Sequence, residues 1–173
     1  MSRFESLRMV DISGKEVIHR EAEAEGVIRL REETVKAIKD GKVKKGDPLR
    51  TAEVACVMAV KRTPEIIPLC HPIPITSVKT EFELGADFVT ARCRVTADYR
   101  TGVEMEALAG VTAALLTIWD MVKYMEKADP MWTAPWGVIA NFPDLTQFTL
   151  TDFHTAYDSK IAGLSSDPNL FWG

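Results

Sequence analysis

From Ser77 to Asp98 the chain alternates apolar and polar residues in two runs separated by Gly85-Ala86-Asp87. Val78, Thr80, Phe82 and Leu84 oppose Ser77, Lys79, Glu81 and Glu83. Val89, Ala91, Cys93, Val95 and Ala97 then oppose Thr90, Arg92, Arg94, Thr96 and Asp98. A period of two puts each set on one face of a strand, so the runs read as an antiparallel hairpin with one face on a core and one in water. A sheet with one apolar face needs a layer of helices on that face.

The rest of the chain supplies that layer. Glu21 to Leu30 alternates Ala22, Ala24, Gly26, Ile28 and Leu30 against Glu21, Glu23, Glu25, Val27 and Arg29, the pattern of another half-solvated strand. Arg31 to Asp40 carries Val35 and Ile38 at helical spacing, a Glu32/Lys36 pair one turn apart and Gly41 as a stop. Asp47-Pro48 is an N-cap followed by proline at the first helical position. Leu49 to Lys61 is apolar nearly all round, as in a helix buried on two sides, and Thr63-Pro64 ends it. Leu108, Val111, Leu115, Ile118, Val122 and Met125 step by three and four, predicting a long helix from Glu104 to about Lys127. Thr101-Gly102-Val103-Glu104 before it has capping-box spacing, which would turn Glu104 back on the cap's amide.

A last strand is expected around Phe148 to Phe153. The order strand, helix, inserted helix, strand, strand, helix, strand predicts an α+β, ferredoxin-like βαββαβ antiparallel sheet with an added helix, its helices on one face. Residues 1–127 form the α+β domain. Residues 128–173 form an atypical segment, rich in aromatic residues and poor in basic ones, expected to pack on the same domain.

Composition narrows the function. A net charge of −4 disfavours a phosphate-tracking nucleic-acid surface, and an RNA-binding ferredoxin-like domain would need an aromatic strand motif that is absent. Cys56, Cys70 and Cys93 are odd in number and widely spaced, which fits neither a disulfide framework nor a structural zinc site. The N-terminus has no apolar signal region, and no stretch approaches the roughly 18 consecutive apolar residues of a membrane span. A cytoplasmic chain without membrane or nucleic-acid partners is expected.

Two strings are not needed for a core. In Ile67-Pro68-Leu69-Cys70-His71-Pro72 the prolines hold the backbone extended and remove amide donors, presenting thiol and imidazole from a stiff loop. His71 is open to three readings: metal ligand, general acid/base, or satisfied loop histidine. Cys70 beside it makes no metal site, because third and fourth ligands are not supplied at any recognisable spacing. Gly102-Val103-Glu104-Met105-Glu106-Ala107-Leu108 sets two carboxylates at the start of the long helix, next to a glycine that lets the chain come close to something.

Further along that helix Asp120 and Lys123 share a face, either as a surface ion pair or as functional groups. Lys45 precedes the Asp47 helix, whose N-terminus favours anions. Glu106 and Asp120 are fourteen helical residues apart, about 21 Å at the helical rise. If all these residues are functional, one chain cannot assemble them; a two-fold pairing of helices could.

In this order, Met9-Val10-Asp11-Ile12-Ser13, Lys45-Gly46-Asp47, Lys61-Arg62-Thr63, the Ile67 to Pro72 string, Thr101 to Leu108, and Leu116-Thr117-Ile118-Trp119-Asp120-Met121-Val122-Lys123 resemble the molybdenum cofactor biosynthesis protein C family, cyclic pyranopterin monophosphate synthase. The resemblance runs from about Met9 to Lys127. It implies a homohexamer, a trimer of dimers with interface active sites, which releases pyrophosphate from cyclised dihydroguanosine triphosphate without a cofactor. By matching position, Leu69, Cys70, His71, Met105 and Glu106 would bind substrate, Asp120 would be an active-site residue, and Lys45 and Lys123 acid/base groups. Glu104 and Arg20 join the substrate-binding set, Arg20 as a cation for the triphosphate. The family's ending carries a last strand and a further basic residue. Ala128 to Gly173 does not resemble it, and Lys160, the sole lysine or arginine there, does not take over that role. A non-catalytic homologue that binds the phosphate ligand is the alternative.

Overall fold

The computed structural model describes residues 7–126. Its elements run β1 (Ile18–Arg29), α1 (Glu32–Lys39), α2 (Pro48–Lys61), α3 (Thr63–Ile66), β2 (Ser77–Leu84), β3 (Phe88–Tyr99) and α4 (Glu104–Val122). The strands form an antiparallel sheet in the order β1-β3-β2, the α+β arrangement expected and consistent with a ferredoxin-like fold. The expected strand at Phe148 to Phe153 and the packing of 128–173 lie outside the described residues.

Strand register follows from the alternation. Ala24 and Thr80 both face Cys93 across β3, and Ala22 and Val78 both face Val95, so the apolar sets of all three strands share one face. The opposite face carries a lattice of charge. Arg94 bonds Glu23 at 2.8 Å, Arg92 bonds Glu25, and Lys79 pairs with Glu81 at 2.5 Å. The charges keep this face in water, and the two arginine–glutamate pairs, which cross from β3 to β1, favour the observed register.

Helices α2 and α4 cover the apolar face. Asp47 caps α2 as expected, its carboxylate accepting from Leu49 N at 2.9 Å and Arg50 N at 3.1 Å. α4 is the core helix, with Val111, Ala114, Leu115, Ile118 and Val122 buried. It is long and apolar enough by composition to cross a membrane, yet here it lies on the sheet. Two glycines set how closely it lies. A Cβ on Gly26 of β1 would stand 2.7 Å from Leu115 Cδ1, and one on Gly110 would stand 2.8 Å from both Cys93 Sγ and Val60 Cγ2. Cys93 and Cys56 are core residues on either side of Gly110.

Three expectations need correction. α2 is not buried on two sides: Ala52, Cys56 and Val60 face the core, while Val54 and Met58 are 59% and 47% exposed. Its apolar outer face has no cover within this chain's described residues. The capping box does not form, because the helix begins at Glu104 with buried Val103 in the cap position and no side-chain bond to the cap. α4 also ends at Val122, with turns following to Glu126 rather than helix to Lys127.

Candidate functional site

The first string lines a cavity of about 340 Å³ at the N-terminal end of α4. Leu69, Cys70 and His71 form one wall; Glu104, Met105 and Glu106 form another. The third wall is a segment that hydropathy patterning does not mark, residues 8–15, which contributes Arg8, Val10, Ile12 and Lys15. This segment is held by a local turn, with Asp11 Oδ1 accepting from Ser13 N at 2.8 Å and Ser13 Oγ at 2.5 Å. The Asp-x-Ser turn, within the Met9 to Ser13 motif of the family resemblance, is the local sequence signal for its shape. It is fastened to the loop by His71, whose Nε2 lies 2.8 Å from Val10 O. A carbonyl only accepts, so Nε2 donates and Nδ1 is the acceptor of the neutral ring.

The two carboxylates at the helix start have different environments. Glu106 is 2% exposed, and burial, with Glu104's charge adding to it, pushes its carboxyl above the usual range. Glu104 is exposed and folds back over Gly102, where a Cβ would stand 2.2 Å from its carboxylate oxygen. Burial and the charge of Glu106 raise the Cys70 thiol, keeping it protonated. The wall therefore holds a protonated thiol and an acid of raised proton affinity, with Arg8 and Lys15 as its cations.

Glu106 binds its proton more tightly in the folded than in the unfolded chain, so its contribution to stability is full at low pH and is lost as pH rises through the raised folded value. Glu106→Gln is expected to melt above the parent protein at pH 8, with the gap closing below about pH 4, where a glutamate is protonated in both states. Thermal melts across this range check the sign.

The other candidates meet at the far end of α4. Lys45 Nζ donates to Asp120 Oδ2 at 2.9 Å and to Asp120 O at 2.8 Å; Lys123 Nζ donates to Asp120 Oδ1 at 2.5 Å. The bond from Lys123, then that from Lys45, hold the Asp120 carboxyl at about 2. One carboxylate between two ammonium groups leaves a net positive charge, half-exposed. Lys45 comes from a tight turn before α2, in which Gly46 has φ +105, a conformation that favours glycine, and Gly46 N donates to Val43 O at 3.1 Å.

The nine residues named with Lys45 thus fall into two groups and one outlier. Arg20 stands in β1, its Nε 3.4 Å from Tyr99 O, and is not among the cavity's lining residues. Continuous helix from Glu106 to Asp120 keeps the groups about 21 Å apart. From Met105 in the first group, Ala109, Thr112 and Leu116 follow on the same outer side of α4 toward the second, with Met105 and Leu116 39% and 49% exposed. Among the described residues no three His, Cys, Asp or Glu side chains converge as a metal site would require.

The chain is similar in sequence to several named proteins. The chain is 60% identical over 121 residues to a protein of Pyrococcus abyssi named probable cyclic pyranopterin monophosphate synthase, covering 70% of this chain and 76% of that one. It is 55% identical over 136 residues to the Aeropyrum pernix protein of the same name, covering 79% and 87%. A protein of Methanothermobacter thermautotrophicus, 58% identical over 123 residues with 71% and 77% covered, is named probable cyclic pyranopterin monophosphate synthase accessory protein. The MoaC family model matches residues 9–139, extending past Lys127 where the resemblance in the motifs stops. With the cavity loop, the helix start and the Lys45–Asp120–Lys123 cluster all inside the matched span, the chain belongs to the MoaC family.

Proposed function

We propose that this protein is a cyclic pyranopterin monophosphate synthase of molybdenum cofactor biosynthesis, a lyase that converts cyclised 7,8-dihydroguanosine triphosphate to the cyclic monophosphate and releases pyrophosphate. The names of its relatives support the reading. The observation that carries it is the cluster of two lysines on one ionised aspartate, which presents proton donors and positive charge together. Lys45 and Lys123 are the acid/base groups: as an ammonium either can deliver a proton to a leaving group, and the amine that this leaves can take one from the ring. Asp120 holds both ammonium groups in place. The cavity of Leu69, Cys70, His71, Glu104, Met105 and Glu106 grips the ring system, and positive charge along the path neutralises the triphosphate as pyrophosphate leaves.

The site is shared between subunits of a homohexamer built from dimers. Two α4 helices lying antiparallel along the Met105 to Leu116 stripe would bring the Glu106 end of one to the Asp120 end of the other. The apolar outer face of α2, left uncovered by the described residues, supports association of the same kind.

The test is calorimetry with the cyclised triphosphate followed by a pyrophosphate assay. Binding with stoichiometric pyrophosphate release is expected. Binding without release would favour the alternative, a phosphate-ligand binding homologue, which the accessory-protein name of one relative keeps in view.

A further inference from the structure

Lys45 lies 75 residues from Asp120 in the chain, on a turn whose conformation alone does not determine where its side chain reaches. The turn is tied to the end of α4 by Tyr124. Tyr124 Oη accepts from the backbone amide of Lys44 at 2.8 Å, and the Lys44 ammonium stands 5.8 Å from the centre of the same ring. The ring itself is half-buried against the core. Tyr124 is next to Lys123 in the turn that follows the helix, where Met125 N donates to Val122 O at 2.8 Å. Arg31 fastens that turn in its own way, its amide donating to the Glu126 carboxylate at 3.2 Å. One side chain thus touches the residue before Lys45 and adjoins Lys123 in sequence.

We infer that Tyr124 is a positioning residue for the lysine–aspartate cluster, its hydroxyl holding the Lys44-Lys45 turn so that the Lys45 ammonium meets Asp120. The inference rests on the reading of Lys45 and Asp120 as site residues for its effect on turnover, though not for its geometry. The hydroxyl acts by fixing backbone rather than by exchanging protons. Losing it leaves the Lys44 amide without that partner and frees Lys45 to sample positions off Asp120.

Tyr124→Phe keeps the ring and removes only the hydroxyl. The readout is the carboxyl carbon resonance of Asp120 in the full chain, titrated in parent, Tyr124→Phe, Lys45→Ala and the double variant. In the parent both lysines hold the carboxylate ionised far into acid. Tyr124→Phe is expected to move the onset of protonation upward within about pH 5 to 3, Lys45→Ala to move it further, and the double variant to match Lys45→Ala alone. In turnover, Tyr124→Phe is expected to lower kcat roughly two- to tenfold, the size of one hydrogen bond, with KM nearly unchanged. A folded Tyr124→Phe protein with the parent's Asp120 titration overturns the inference. So does a shift that adds fully to that of Lys45→Ala. Full turnover in Lys45→Ala would instead remove the catalytic reading of Lys45, while the titration would still decide the role of Tyr124.

Discussion

Lys45→Ala is expected to lose about 10²- to 10⁴-fold in turnover, the range for removing a general acid or base, while melting at nearly the same temperature as the parent. The melting temperature should hold because the Lys45–Asp120 pair is half-exposed, where solvent screens an ion pair and little stability is gained. Lys45→Arg separates charge from proton transfer. Guanidinium preserves the positive charge beside Asp120 but does not give up a proton near neutral pH, so Arg should recover substrate binding and not turnover. Steady-state rates with pyrophosphate as the measured product decide this. A Lys45→Arg enzyme that turns over like the parent would mean that Lys45 supplies charge alone.

Leu115→Ala should do the opposite, costing about 2–5 kcal/mol of stability through the cavity it leaves. Leu115 is fully buried on α4, and its Cδ1 occupies the space that a side chain at Gly26 would need. The converse change, Gly26→Ala, overpacks the same contact and should cost about 1–3 kcal/mol. The two should couple: Gly26→Ala should cost less in the Leu115→Ala background than alone, since the truncated side chain has vacated the space. Denaturant unfolding of the four proteins measures the coupling, and simple additivity would show that the glycine is not there to admit Leu115. This contact matters to the candidate site because α4 carries one group of its residues at each end.

The fold was legible where side chains alternate or cap locally. The hairpin, the inner faces of all three strands and the Asp47 N-cap follow from spacing alone, because each is decided by neighbours within a few residues. The Thr101-x-x-Glu104 spacing failed for a physical reason: Val103 goes into the core at the cap position, and Glu104 folds over Gly102 instead of reaching back to Thr101. Leu49 to Lys61 looked two-sided because its outer residues are apolar, yet nothing in the described chain covers Val54 and Met58.

The candidate site's geometry was legible only in part. Asp120 and Lys123 are readable as a pair one helical turn apart. The arrival of Lys45 at that pair depends on how the turn before α2 meets the end of α4, a contact that no periodicity encodes. Residues 8–15 form a cavity wall with no hydropathy pattern, fastened to the loop by the His71–Val10 bond. The separation of about 21 Å, by contrast, follows from the helix itself and survives intact in the structure.

Sharing of the site between subunits is tested most directly by complementation. Glu106→Ala chains lack part of the cavity, and Asp120→Ala chains lack the carboxylate between the lysines, so each protein alone should be nearly inactive. Co-assembled hybrids in which one α4 supplies Glu106 and its partner supplies Asp120 should regain up to about half of the parent activity per dimer, because one of its two sites is then whole. Verified hybrids that remain as inactive as the separate variants would contradict a site built across two subunits.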